Sequence, residues 1–139
     1  MRLIALLIPV LSIVLSLAPI SALAAPPLPA ADRQGDYTSR TSHTKWIVTD
    51  PDSNGVNCRW SKAMPADWFN PEAKLPPATY SQWSVVRQFK RNTVLNANTA
   101  PAGFALMYDV QNKPWLKVNL GPNDRICLVR ANARFIRPI

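Results

Sequence analysis

The chain has 139 residues, a net charge of +8 at neutral pH, four glycines, two cysteines and one histidine. This length suits one domain and is too short for two ordinary ones. Four glycines exclude a glycine-rich phosphate loop, and one histidine with two cysteines is too few for a zinc site. We therefore expect no metal and no cofactor.

The first 24 residues have the pattern of a secretory signal peptide. Arg2 precedes an apolar run over residues 3–20, and Ala22 and Ala24 are the small residues that a signal peptidase recognises. We expect cleavage after Ala24, export to the periplasm or beyond, and no membrane span in the mature chain. An uncleaved anchor is the alternative, but the uninterrupted apolar run is short for a span.

The mature chain has 15 lysines and arginines against eight acids, which is a net charge of +7. A basic surface on an exported protein favours anionic envelope partners such as wall polymers, acidic polysaccharide, lipid headgroups or acidic proteins. The alternative is that the charge only keeps a small protein soluble. We expect a monomer with no nucleic-acid partner.

Cys58 and Cys127 are the only two cysteines. Two cysteines in an exported chain usually pair, so we predict a disulfide between them. It would close a loop that the chain-entropy model values at roughly 4 kcal/mol. A disulfide sulfur is no nucleophile, and His43 lies outside the predicted domain, so we predict no catalytic residues and no enzyme activity.

Residues 25–44 are rich in proline, alanine, serine and threonine and show no hydrophobic period. This composition predicts a disordered tail. From Lys45 onward, short runs of β-branched and aromatic residues alternate with turn signals. The predicted strands are residues 45–49, 56–61, 84–89, 93–99, 104–108, 115–120, 126–130 and 135–139. Their spacing predicts one all-β domain over residues 45–139, either a small barrel or a sandwich.

Residues 62–83 form a long predicted loop with four prolines and four aromatic residues. Loops of this length inside a compact domain are often functional. Aromatic side chains near prolines are typical of grooves that hold extended ligands, and they also stack on sugar rings. The alternative is that the loop folds over an open end of the barrel and buries its own aromatic residues, since exposing them would be costly.

The candidate binding residues come from this loop and from the strands beside it. They are Arg59, Trp68, Phe69, Tyr80, Trp83 and Trp115. A basic rim for carboxylates or phosphates is predicted nearby, with a solvated basic face as the alternative. Its candidate members are Arg59, Lys62, Lys74, Arg87, Lys90, Arg91 and Lys117. Arg59 is either an anchor for the loop or part of that rim.

The order of the segments resembles the bacterial SH3 domain, an exported relative of the Src-homology-3 barrel. Val-Asn-Cys-Arg-Trp-Ser at residues 56–61 is similar to the family's Leu-Asn-Val-Arg-Ser-Gly-Pro signature. Pro-Trp-Leu-Lys-Val at residues 114–118 is similar to its Gly-Trp-Leu-Lys-Val strand. The resemblance covers residues 45–139 and implies a small SH3-like barrel. The signature's Gly-Pro is absent, and residues 62–83 are inserted in its place.

The layout is similar to that of single-domain exported SH3-like proteins of cyanobacteria. The resemblance implies a non-catalytic module that binds an extended envelope ligand, either a peptidoglycan peptide or a glycan. One alternative is an interaction or inhibitor module that docks an envelope enzyme. A lesser alternative is an enzyme of unrecognised type.

Overall fold

The computed structural model describes residues 18–123 and 125–139, and its regular structure is almost wholly β. The strands are β1 (Lys45–Val48), β2 (Val56–Trp60), β3 (Ser84–Phe89), β4 (Val94–Asn96), β5 (Leu106–Tyr108), β6 (Pro114–Asn119), β7 (Ile126–Arg130) and β8 (Ile136–Pro138). Each overlaps a strand predicted from the sequence, so the all-β class is confirmed. Most of the predicted signal peptide lies outside the described residues, and its cleavage stays a prediction.

The strands form two antiparallel sheets. One has the order β4-β1-β8 and the other has the order β3-β2-β7-β6-β5. A single bridge between Ala97 and Val118 joins the sheets at one corner. Neither sheet closes on itself, so the closed SH3-like barrel predicted from the sequence is not confirmed. Within the described residues, no helix has the length and hydropathy to cross a membrane.

The main core lies between the two sheets. Alternation along β2 and β6 directs Val56, Leu116 and Val118 inward, and Trp46 and Val48 of β1 face them from the smaller sheet. Burying such side chains stabilises the fold by roughly 25 cal/mol for each Å² of apolar surface removed from water. The fully buried Trp46 donates its indole N–H to a backbone carbonyl at 3.0 Å, so its polar atom is satisfied.

The predicted disulfide between Cys58 and Cys127 is present, and both residues are fully buried. Its Cα atoms are 5.4 Å apart, and it joins β2 to β7, which are neighbours in the five-stranded sheet. The β2–β7 ladder is short, with Cys58 opposite Val129 and Arg59 opposite Leu128. The bond therefore reinforces a seam with few backbone pairs. A disulfide is compatible with an oxidising compartment.

Gly55 determines how the chain enters β2. Its φ of +80° lies in the left-handed region, which glycine adopts without steric cost. A Cβ at this position would lie against the carbonyl of Phe89 at the end of β3. Asp50 and Asp52 each accept a backbone N–H two residues further on, at 2.9 and 2.8 Å. Only a residue without a side chain fits this turn.

The prediction of a disordered tail is wrong for the part of the chain just before β1. Tyr37 is buried in the main core, 5.0 Å from the ring of Trp46 and edge-on to it. Asp36 forms an ion pair at 2.7 Å with Arg130 of β7, and Asn132 donates to the same carboxylate at 2.6 Å. The order of this segment depends on one buried aromatic ring and one ion pair. Neither produces a periodic pattern of apolar residues, so periodicity alone does not reveal it.

Asp36→Asn is expected to lower the free energy of unfolding at pH 7 by about 2 kcal/mol, because it leaves a half-buried arginine unpaired. Burial raises the pKa of Asp36, but hydrogen bonds from Arg130 and Asn132 outweigh it and leave the pKa below its ordinary value. The stabilisation is therefore present above pH 4 and lost as the pH falls further. Urea unfolding at pH 7 and pH 3 measures this.

Asp67→Asn is the matched control, because Asp67 is exposed. It should leave the free energy of unfolding unchanged at both pH values. An Asp36 variant as stable as the original chain at pH 7 would contradict the role assigned to the ion pair.

Candidate functional site

The insertion, residues 62–83, folds back over the outer face of the five-stranded sheet. There it builds a second apolar cluster of Tyr80, Trp83, Trp115 and Leu128, with Trp60 packed against its edge. A short 3-10 helix, Tyr80–Gln82, places Tyr80 and Trp83 over the sheet. β6 and β7 are consequently covered on both faces, by the main core inside and by the insertion outside.

Six aromatic rings run through this layer in a continuous edge-to-face series. In spatial order they are Phe69, Trp68, Trp60, Trp83, Tyr80 and Trp115. Successive centroids are 4.7 to 6.0 Å apart. Each such pair contributes roughly 0.5–1.5 kcal/mol beyond its buried area. The series holds the insertion rigidly on the sheet.

Most of the predicted aromatic binding residues are buried. Trp68, Tyr80, Trp83 and Trp115 are all at least nine-tenths buried, and only Phe69 is substantially exposed, at 41%. Trp68, Tyr80 and Trp83 therefore form no open aromatic groove: the insertion buries them, as the alternative predicted, and Trp115 is a covered residue of β6. Burial raises the pKa of Tyr80 to about 12, with a further contribution from the nearby Asp109 carboxylate.

Arg59 anchors the insertion. Its side chain leaves β2 on the outer face, and its guanidinium donates to the carbonyl of Trp83 at 2.8 Å. This bond connects β2 to the end of the insertion, just before β3 begins. Of the two roles predicted for Arg59, the anchor is the one for which the structure provides a partner.

A groove of about 320 Å³ lies between the insertion and β3. Trp60, Trp68 and Ile126 contribute apolar walls, and Arg87 of β3 and Arg125 line it with exposed cationic side chains. No acidic residue is among the described residues that line it. The groove therefore combines an apolar floor with two cations, which suits a ligand carrying carboxylates.

β3 borders this groove and forms one edge of the five-stranded sheet. Val85 and Val86 are 43% and 51% exposed, which is unusual for adjacent valines in a strand. In the described part of the chain, β3 pairs only with β2, so its other edge presents free backbone N–H and C=O groups. Such an edge can accept one more extended chain.

A second cavity, of about 330 Å³, lies on the other side of Trp68, between the insertion and the loop before β5. Lys117 of β6 lines it and is only 3% exposed, although the sequence predicted either a basic rim or a solvated basic face for it. Burial lowers the pKa of Lys117 to about 8. Buried lysines are uncommon unless a carboxylate pairs with them, so this cavity is a second candidate for a ligand site.

A third, more polar depression of about 530 Å³ contains Trp115 and groups of both charges. Two of its charged groups, Asp109 and Arg130, already have partners within the protein. Asp109 accepts N–H groups from Gln111, Lys113 and the Trp115 indole at 2.9 to 3.0 Å, and Arg130 pairs with Asp36. Asp109 and Arg130 are therefore held by the fold, and this depression is a weaker candidate site than the groove.

Sequence reasoning missed the role of Lys117, and a signal for it was present. β6 and β7 read as nearly continuous apolar runs, and all but one residue of each strand is buried. Such runs indicate strands that are covered on both faces, whereas one-sided sheets alternate. Lys117 stands inside one of these runs, so its burial was predictable.

No protein-family model, curated protein or solved structure matches this chain.

Proposed function

We propose that the chain is an exported, non-catalytic binding module that holds an extended, carboxylate-bearing peptide of the cell wall in the groove beside β3. The observation that carries this proposal is the pairing of an apolar floor at Trp60 and Trp68 with two exposed cations, Arg87 and Arg125. The signal-peptide pattern and the buried disulfide support export to an oxidising compartment.

The burial of the aromatic residues favours a peptide over a glycan. Sugar recognition by stacking needs exposed ring faces, and only Phe69 among the candidate aromatic residues offers a substantial exposed surface. An extended peptide instead needs apolar pockets and hydrogen-bonding backbone, which the groove and the edge of β3 provide together. Guanidinium groups bind carboxylates in two-point geometry, which suits the free acids of a wall peptide.

We include in this proposal that the fold is a variant of the SH3-like barrel. Two antiparallel sheets around a common core, joined at the bridge between Ala97 and Val118, are compatible with a barrel that has opened. In this interpretation the insertion occupies the place of the loop that borders the peptide groove in related barrels. Compared with the peptide groove of those barrels, the groove of this chain would lie nearer to β3.

Retention on isolated cell wall tests the proposed ligand. The chain is expected to sediment with peptidoglycan at low salt, and the double change Arg87→Glu with Arg125→Glu is expected to reduce retention at least tenfold. Screening should weaken the binding as salt is raised, because both cations are exposed. Quantitative pull-down at two salt concentrations measures both effects.

The matched control is Arg33→Glu with Arg134→Glu, which changes the net charge equally at two exposed arginines outside the groove. Equal losses of retention in the two double variants would show that binding depends on net charge and not on the groove. No retention of the original chain at low salt would overturn wall binding.

A second candidate function is docking of an acidic envelope protein by strand addition to β3. The exposed valines and the unpaired edge of β3 favour it, since a protein strand brings the backbone groups that this edge lacks. Affinity purification that yields one stoichiometric protein partner, with no retention on wall, would establish this alternative.

A further inference from the structure

Lys117 is a charged side chain buried in an apolar setting. It projects from the outer face of β6 beneath the insertion, and its Nζ donates to the carbonyl of Ala100. The ring of Trp68 lies 5.9 Å from Nζ, which allows a cation–π contact. Within the described residues, the ion pair between Asp36 and Arg130 is the one salt bridge, so no described carboxylate pairs with Lys117.

One carbonyl and one ring face compensate only part of the cost of removing an ammonium group from water. Buried charges are normally paired with an opposite charge, since the loss of hydration amounts to several kcal/mol for each ion. Lys117 contacts the carbonyl of Ala100, which satisfies one of its three N–H donors. A ligand oxygen that carries negative charge would supply the missing counterpart.

The cavity lined by Lys117 matches this need. Trp68, Leu75, Phe104 and Met107 make its walls largely apolar. Arg40 also lines it, with its guanidinium 5.2 Å from the centroid of the Phe104 ring. No described lining residue is acidic. The cavity therefore combines apolar walls with two cations, and none of the described residues that line it carries a carboxylate.

We propose that this cavity is a binding site for a small monocarboxylate with an apolar body, in which the carboxylate pairs with Nζ of Lys117. The volume of about 330 Å³ is roughly twice that of a protein cavity that takes benzene, so an aryl ring with a short chain or a medium-length alkyl chain fits. Arg40 would attract the acid to the cavity, and Lys117 would hold its carboxylate inside.

The proposal predicts a coupling between binding and protonation. Burial lowers the pKa of Lys117 to about 8, and a carboxylate beside it would raise that pKa again. Binding above pH 8 should therefore take up a proton. The other titratable groups that face the cavity are Arg40 and Tyr108, and burial raises the pKa of Tyr108. Lys117 is thus the cavity group that titrates between pH 7 and 9.

Calorimetric titration of the full chain tests the site with three probes: phenylacetate, 4-phenylbutyrate and octanoate. At least one acid is expected to bind ten times more tightly at pH 7 than its uncharged amide. Its affinity should fall by about tenfold between pH 7 and 9, as the free lysine loses its proton. At pH 9, the apparent enthalpy should change with the ionisation enthalpy of the buffer, which reports the proton taken up.

Lys117→Met keeps the length and apolar character of the side chain and removes its charge. This variant should bind acid and amide equally, with thermal unfolding confirming that it is folded. Lys90→Met is the control, because Lys90 is exposed and outside the cavity, and it should keep the preference for the acid. The proposal is overturned if the original chain binds none of the three acids at millimolar concentration, or binds acids and amides equally.

The carboxylate site is independent of the proposed wall binding. Trp68 contributes to both the groove and the cavity, but the groove is tested at Arg87 and Arg125 and the cavity at Lys117. Loss of wall retention in the arginine variant should leave the affinity for the small acid unchanged. Either proposal can therefore fail while the other stands.

Discussion

Replacing Cys58 and Cys127 together with alanine is expected to lower the free energy of unfolding by about 4 kcal/mol, the chain-entropy value for a loop of this length. The two residues are 69 positions apart in the sequence, so the bond restricts a large part of the unfolded chain. Domains of this size have total stabilities of only about 5–15 kcal/mol. Urea unfolding followed by tryptophan fluorescence measures the difference.

The position of the bond indicates where the weakened protein should open first. The sheet consists of the β3-β2 pair on one side and β7-β6-β5 on the other, and the seam between them has few ladder pairs. Without the disulfide, amide hydrogens in β2 and β3 should exchange faster than those in β6. The effect should be local at low denaturant and global near the midpoint.

Intact mass after alkylation provides the control for this prediction. The folded chain should add no alkylating group without reductant, since both sulfurs are bonded and fully buried. Two alkylated thiols in the folded protein would contradict the bond. An alanine pair as stable as the original chain would contradict its energetic role.

Replacing Lys117 with methionine is expected to raise the free energy of unfolding at pH 7 by about 3 kcal/mol. Burial lowers the pKa of Lys117 from 10.5 to about 8, and each pKa unit corresponds to about 1.4 kcal/mol of preference against the charged form. Methionine fills a similar volume without a charge, and such replacements of buried charges are often stabilising. A site selected for binding commonly lowers stability in this way.

The pH dependence of the free energy of unfolding distinguishes the cost of the buried charge from an effect of side-chain packing. Below pH 8 the lysine is charged in both folded and unfolded chains, and the full penalty applies. Between pH 8 and 10 the folded protein loses the proton first, so the stability of the original chain should rise with pH. Above pH 10, Tyr80 has the opposite effect, because its raised pKa favours the unfolded state as the phenol ionises.

In the methionine variant, the rise in stability between pH 8 and 10 should disappear. Lys90→Met, at an exposed position, should keep that rise and leave the stability at pH 7 unchanged. Chemical unfolding at intervals of half a pH unit provides the test. A methionine variant that is less stable than the original chain at pH 7 would show that the ammonium group is well compensated.

The strands were predictable because each is a local pattern. Alternation of Val56 and Cys58 with polar residues indicates a strand with one buried face, and the turn at Gly55 indicates where it starts. The pairing of the two cysteines followed from their number and the predicted compartment. None of these inferences required knowledge of which strands are neighbours.

The site depends on contacts that no local pattern encodes. Trp68 and Trp83 could equally have bound a ligand or packed on the sheet, and only the apolar outer face at Trp115 and Leu128 decides between these outcomes. The apolar run around Lys117 indicates that this residue is buried, but not that a cavity lies beside it. A closed barrel and two open sheets can be built from the same succession of strands along the chain, so the sequence could not distinguish them.

The pairing of β1 with β8 has a consequence for how the protein is made. β1 lies between β4 and β8, and the N–H of Ile139, just after β8, donates to the carbonyl of Lys45. Synthesis runs from the N-terminus, so β1 lacks one neighbour until residues 136–138 have been made. Topologies dominated by such distant pairings fold slowly. The smaller sheet therefore forms only after the chain has been made at least as far as Pro138, so its folding comes late.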